Sequence, residues 1–132
     1  METVTRVAAV IVKEGNILMV INHDYGDLWF PGGKIEKGES DRECLQRELR
    51  EEVDLNLKSM KFFGKYTNES PYSNHLTENR IYIAQAQGNP NPGFEIDEHV
   101  WLSKEDFENE RYSMIEINQK EIIPDLIQER VF

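Results

Sequence analysis

Strands interleaved with helices predict an α/β fold, with layers on both sides of a sheet. Three observations carry this. Val4–Val12 is a run rich in Val, Ala and Ile. Arg80–Ala86 alternates, with Ile81 and Ile83 set against Tyr82 and Ala84. Between them a helix carries Leu45, Leu49 and Val53 at i, i+4 and i+8. At 132 residues the chain suits one compact domain spanning 1–132 with a real core.

The elements follow in order. Val4–Val12 reads as a strand, Glu14-Gly15-Asn16 as a turn, and Ile17–Ile21 as the returning strand. Pro31-Gly32-Gly33 is a turn whose paired glycines allow positive φ or a close approach. Ser40 with Glu43 matches a capping box, so Ser40 is the expected N-cap of the next helix. Leu57–Tyr66 and Arg80–Ala86 are further strands, and Thr67–Asn79 between them is a polar loop. Gly88-Asn89-Pro90-Asn91-Pro92-Gly93 is a strong loop signal. His99–Leu102 is a short strand, with Ser103 capping helix Lys104–Asn109. A last helix spans Gln119–Arg130, and Pro124 either kinks it or marks a late start.

The helix after Ser40 has a second face. Glu48, Glu51 and Glu52 fall within an arc of about 100°. Each like-charge i,i+4 pair, such as Glu48 and Glu52, costs about 0.2–0.5 kcal/mol on a bare helix. A hard divalent cation is the natural candidate to offset that repulsion. Mg²⁺ takes oxygen ligands and is often shared between carboxylates and substrate phosphates. The negative C-terminal end of the helix favours a cation as well. A lone Glu-Glu pair is more often a solvated acidic face, and the neighbouring residues reverse that judgement. The glycine turn lies seven residues before the cap, close enough for a Gly carbonyl to reach the same ion.

The stretch from Gly33 resembles the Nudix hydrolases, whose pattern is G-x5-E-x7-R-E-U-x-E-E-x-G-U, with U a bulky aliphatic. Gly33 opens it, Glu39 follows after five residues, and Arg47-Glu48 after seven more. Leu49, Arg50, Glu51-Glu52, Val53, Asp54 and Leu55 complete it. Every defining position matches except the second glycine, which is Asp54 here. That glycine sits just past the helix, where the left-handed conformation is common. Asp enters that region more readily than most side chains, so some strain and little loss of chemistry are expected. WFPGGKIEKGE is similar to the MutT-like branch.

The resemblance implies an α/β/α sandwich with a mixed β-sheet between helices. It implies hydrolysis of a diphosphate linkage in a nucleoside diphosphate derivative. By position, Glu48, Glu51 and Glu52 match the metal-binding glutamates, and Gly32 the glycine whose carbonyl joins them. Arg47 matches an arginine that orients the glutamates, and Glu39 a glutamate that supports the loop. Mg²⁺ is the implied cofactor, with Mn²⁺ as a substitute. Family members take the general base from a box glutamate or from a later loop. Glu95, six residues before Trp101, and Glu98 are the later candidates. Gly32, Gly33 and Asn118 are the substrate-binding candidates. Asn118 falls where MutT-like enzymes place a base-reading asparagine, although a helix cap explains it more simply. Asn22-His23 stands where many relatives carry a phosphate-binding arginine, and this departure weakens transfer of that role.

Other features narrow the class. The formal net charge of −10 repels phosphates, so a metal must bridge them to the carboxylates. No basic stripe suggests polymeric nucleic acid. No long apolar span or signal peptide is seen, which gives a cytoplasmic expectation, as a monomer or homodimer. Cys44 is the lone cysteine and reads as a buried, inert thiol. His23, His75 and His99 have no metal-ligand spacing. Trp29 reads as packing beside the turn more than as a base stacker, and Tyr72 could frame a substrate. The expected substrate is a nucleoside triphosphate, cleaved to a monophosphate and pyrophosphate. Nucleotide sugars, ADP-ribose, dinucleoside polyphosphates, a non-catalytic nucleotide-binding module and a plain acidic interaction protein are the alternatives.

Overall fold

The structure is a computed structural model that describes residues 1–90 and 98–132. The strands are β1 (Glu2–Val10), β2 (Val12–Lys13), β3 (Asn16–Ile21), β4 (Leu28–Trp29), β5 (Gly32–Lys34), β6 (Asn56–Glu69), β7 (His75–Gln87) and β8 (His99–Leu102). The helices are α1 (Asp41–Val53), α2 (Lys104–Glu108) and α3 (Ile123–Gln128), and a π-turn at Asn118–Ile122 leads directly into α3.

One sheet has the order β5-β1-β7-β6. β1 runs parallel to β7 and antiparallel to β5, so the sheet is mixed, as expected. A second sheet joins β2, β3 and β4, with β8 antiparallel to β3. The apolar run of β1 has a physical cause, because both of its faces are buried. Val7 and Ala9 face a core shared with Leu45, Leu49 and Val53 of α1. Ala8 and Val10 face a core shared with Ile122, Ile123 and Leu126. β3 divides the same way, Leu18 and Val20 toward the first core, Ile17 and Met19 toward the second. Helices therefore cover both faces, the α/β/α layering the resemblance implied.

Several boundaries differ from expectation. The first strand ends at Val10, and Val12 starts β2 in the other sheet, opposite Ile17. Glu14 and Gly15 both take positive φ (52° and 81°), the geometry of a tight two-residue hairpin turn. Thr67–Asn79 is largely strand rather than loop. Asn79 Nδ2 donates to Asn68 Oδ1 at 2.8 Å and to the Tyr66 carbonyl at 3.0 Å, so these polar residues bond across the ladder. Gly88–Pro90 lie outside the strands, and Asn91 to Gly93 of that loop signal lie outside the described residues. The last helix begins before Gln119, at residue 116, and ends at Gln128. Pro124 has no N–H and would crowd an ordinary helical turn. The wider π-turn absorbs it, with Ile123 N–H donating to the Asn118 carbonyl.

The ends of α1 are well fixed. Ser40 Oγ accepts from Glu43 N–H at 3.1 Å, and Glu43 Oε1 accepts from Ser40 N–H at 3.0 Å. Asp54 takes φ 56°, ψ 41°, and its N–H donates to the Leu49 carbonyl, a left-handed cap in the place of the family glycine. Asp41 ties the helix start to β7, accepting from Arg80 Nη1 at 2.7 Å and from the Tyr82 hydroxyl.

Candidate active site

β5 and α1 meet where the two glycines allow it. Gly32 pairs with Ala8 of β1 at φ 153°, and a Cβ there would stand 2.1 Å from the Val7 carbonyl oxygen. A Cβ on Gly33 would stand 2.3 Å from Glu48 Oε1. Only a bare backbone brings β5 this close to both neighbours. In that contact Gly32 N–H donates to Glu52 Oε1 at 2.7 Å.

Arg47 joins loop and helix. Its Nε and Nη2 donate to the two oxygens of Glu39 at 2.8 and 2.9 Å, a bidentate fork. Its Nη1 donates to Glu48 Oε1 at 2.8 Å and to Glu51 Oε2 at 3.4 Å, and Nη2 reaches the Lys34 carbonyl at 3.2 Å. These bonds to Arg47 hold the Glu39 carboxyl down at about 2. Glu48 is raised, with burial as the main cause, and Glu52 is pushed by burial up to about 7. Glu51 is more open, its side chain 52% exposed. Cys44 is wholly buried, and burial pushes its thiol up to about 12, which makes it inert, as expected.

A cleft of about 420 Å³ opens beside Glu52, lined by Arg6, Val20, Ile21, Asn22, His23, Asp24 and Trp29. Arg6 is a residue that sequence reasoning missed. Its Nη2 donates to the Phe30 carbonyl at 2.8 Å and to the Gly32 carbonyl at 3.3 Å. Its guanidinium lies 5.2 Å from the Trp29 ring centre. The carboxylates of Glu52 and Glu48 act on its charge. The signal was a single arginine inside the apolar run of the first strand. Asp27 was missed as well. It is 3% exposed, with Oδ1 accepting from Trp29 Nε1 at 2.8 Å and Oδ2 from the Tyr72 hydroxyl.

The other candidates divide. Gly32, Gly33, Arg47, Glu48 and Glu52 come together, with Glu51 at the edge. Glu98 is exposed, and its carbonyl accepts from Ile21 N–H at 3.2 Å beside the cleft. Glu95 lies outside the described residues. Asn118 is 4% exposed inside the π-turn and is neither a helix cap nor a lining residue of the cleft.

Among the described residues, no three His, Cys, Asp or Glu side chains converge as a ready metal cage. The donor chemistry nevertheless fits a hard cation. The candidates are all oxygen, the carboxylates of Glu48, Glu51 and Glu52 and the Gly32 carbonyl. Burial disfavours charge on two of these carboxylates, which is the state a bound cation relieves. Among the described residues, no helix is long and apolar enough to cross a membrane.

The NUDIX domain family model matches residues 2–126. CTP pyrophosphohydrolase of Escherichia coli (strain K12) is 37% identical over 73 residues, 52% of this chain and 54% of that protein. The 8-oxo-dGTP diphosphatase of the same strain is 36% identical over 81 residues, 61% of each. The match thus spans about half to three-fifths of the length of these two relatives. The solution structure of the E. coli ORF135 protein is similar at TM-score 0.79 and 27% identity, covering 98% of this chain and 94% of that one. A NUDIX hydrolase from Nitrosomonas europaea has TM-score 0.83 at 21% identity, covering 97% and 90%, a likeness of fold alone.

Proposed function

This chain belongs to the NUDIX domain family, and from that premise we propose that it hydrolyses a diphosphate linkage in a nucleoside triphosphate. The products are a nucleoside monophosphate and pyrophosphate. The observation that supports this best is the Arg47 fork, which couples Glu39 of the loop to Glu48 of the helix at 2.8 Å each. Gly32 N–H holds Glu52 at 2.7 Å beside the cleft, next to the Glu48 that Arg47 fixes. Two of the relatives carry names that describe nucleoside triphosphate substrates.

Glu48, Glu51, Glu52 and the Gly32 carbonyl would hold Mg²⁺, or Mn²⁺ in its place. The ion, when bound, supplies charge neutralisation at the phosphates and an acidified water. Arg47 orients Glu48, and the Gly32 N–H orients Glu52. Glu52, the carboxylate that lines the cleft, takes the proton of the attacking water. The water oxygen bonds to phosphorus, the bridging P–O bond breaks, and pyrophosphate leaves with that oxygen. No covalent enzyme intermediate is needed, since catalysis rests on positioning and electrostatics. Arg6 places a fixed positive charge in the cleft, where His23 replaces the arginine of many relatives.

The test is a Mg²⁺-dependent hydrolysis screen over CTP, GTP, oxidised dGTP, a nucleotide sugar and ADP-ribose, with products identified. Glu52→Gln should fold normally and lose at least 100-fold in kcat. Wild-type turnover in that variant, or no turnover by the wild type on any compound, overturns the reading.

A further inference from the structure

An aromatic pile at the rim of the cleft takes no part in the reaction proposed above. Tyr25 and Tyr72 stack with ring centres 3.7 Å apart and planes 2° from parallel. Trp29 follows, 6.3 Å from Tyr72 and tilted by 34°. Arg6 then lies over Trp29, and both line the cleft with Glu52. The pile therefore leads from a box carboxylate out to the surface.

The pile is held in place before any ligand arrives. The two oxygens of buried Asp27 accept one bond each, from Trp29 Nε1 and from the Tyr72 hydroxyl. Asn22 Oδ1 accepts from the N–H groups of Asp24 and Tyr25 at 2.9 and 3.2 Å. Gly26 N–H donates to the Asn22 carbonyl at 2.6 Å, and Asn22 N–H to the Asp27 carbonyl at 2.9 Å, closing the loop under Tyr25. Preorganisation of this kind lowers the entropy lost on binding.

Mutual packing explains only half of the pair. Tyr25 has one stacking neighbour and remains 53% exposed, while Tyr72, between Tyr25 and Trp29, remains 38% exposed. The loop bonds thus fix a flat apolar plane in water, beside a cleft with a cation and a carboxylate.

Resting on the reading of the cleft as a nucleoside polyphosphate site, we infer that the outer face of the Tyr25–Tyr72 pair is a platform on which the substrate's nucleobase stacks. The platform reads the base by its π-face. Asp27 is 3% exposed and the Tyr72 proton is donated to it, so neither offers a free donor to a base edge. Every base has a π-face, so stacking is tolerant of base identity. The enzyme should therefore accept purine and pyrimidine nucleotides alike.

Calorimetric titration tests this with the α,β-methylene analogues of CTP and GTP, and with inorganic tripolyphosphate, each with Mg²⁺. Tyr25→Ala and Tyr72→Ala should each weaken both nucleotides about 10-fold and leave tripolyphosphate unchanged. Tyr25→Phe should bind like the wild type. In turnover, the alanine variants should raise KM and keep kcat. Both tyrosines are at the surface, so folding is expected to persist, and circular dichroism checks it. Unchanged nucleotide binding in both alanine variants overturns the platform, as does equal weakening of tripolyphosphate. A wild type that turns over nucleotides but binds the analogues no tighter than tripolyphosphate overturns the platform alone. A wild type that binds neither and hydrolyses nothing overturns the functional reading with it.

Discussion

Gly33 and Glu48 are in such close contact that a Cβ on the glycine would stand 2.3 Å from Glu48 Oε1. The obstacle is the far end of a flexible side chain, so the chain can fold around it. The Glu48 carboxylate would have to leave its bond with Arg47. Displacement of a catalytic group by about 1 Å can cost on the order of 100-fold in rate. Gly33→Ala is therefore expected to keep its melting temperature within a few degrees and lose roughly 100-fold in kcat.

Gly32 makes the opposite prediction. A Cβ there meets backbone, 2.1 Å from the Val7 carbonyl oxygen and 2.6 Å from Ala8 Cα, at a φ that L side chains rarely adopt. Nothing in that contact can swing aside. Gly32→Ala should lose on the order of 3 kcal/mol of stability, read from urea midpoints, because β5 must separate from β1. A variant with wild-type stability would mean that β5 does not pair as described.

Local spacing explains which parts could be read from the chain. Ser40 and Glu43 are three apart, and Glu48, Glu51 and Glu52 share one helix face, so the helix, its cap and its acidic side were visible. The resemblance gave Arg47 an orienting role and Glu39 a supporting one, but their pairing spans eight residues and a loop and came only with the fold. Arg6 and Asp27 stayed hidden because their partners are remote. Arg6 bonds to Phe30 and Gly32 across a sheet, and Asp27 to Tyr72 across 45 residues. The strand ends in Thr67–Asn79 were hidden by polarity, since the backbone ladder that pairs Thr67, Asn68 and Glu69 with Glu78, Thr77 and Leu76 needs no apolar side chains. Pro124 does sit in the first turn of α3, and the π-turn that precedes it has no local signature.

Glu39 gives a prediction with a sign in pH. Its folded value is held at about 2 by Arg47, below an unfolded value of about 4.3. A depressed carboxylate contributes stability that is fully present above the unfolded value and is lost as pH falls through the folded one. The wild type should therefore weaken between roughly pH 5 and pH 2. Glu39→Gln should start less stable at pH 7 and show a flatter acid limb. Urea midpoints at pH 7, 4 and 3 check this, and parallel limbs for the two proteins would reject the ion pair as the cause.

Asp54 holds a left-handed conformation at φ 56°. An L residue there costs about 1–2 kcal/mol, less for Asp, and a carboxylate at a helix C-terminus is unfavourable by a few tenths more. Glycine relieves both and loses some of the gain through the freedom of its unfolded state. Asp54→Gly should stabilise the chain by about 0.5 kcal/mol. Its kcat should not change, since no proposed ligand is touched. Destabilisation would show that the Asp54 side chain holds the cap.

Arg6 supplies the last prediction, in which stability and metal are coupled. Its Nη2 satisfies the Phe30 and Gly32 carbonyls, and its charge faces Glu52 and Glu48. Arg6→Met keeps much of the volume and removes both services. Loss of one partner from a buried charge cluster costs about 3–5 kcal/mol, so the variant should melt well below the wild type without metal. A divalent cation held by the same carboxylates replaces the missing charge, and ligand binding to the native state raises stability by mass action. The gap in melting temperature between variant and wild type should therefore narrow in 10 mM Mg²⁺, by roughly the difference in their ion affinities. It should stay open in NaCl of equal ionic strength, which only screens. A gap that Mg²⁺ leaves unchanged would place the ion away from Glu52, and with it the proposed chemistry.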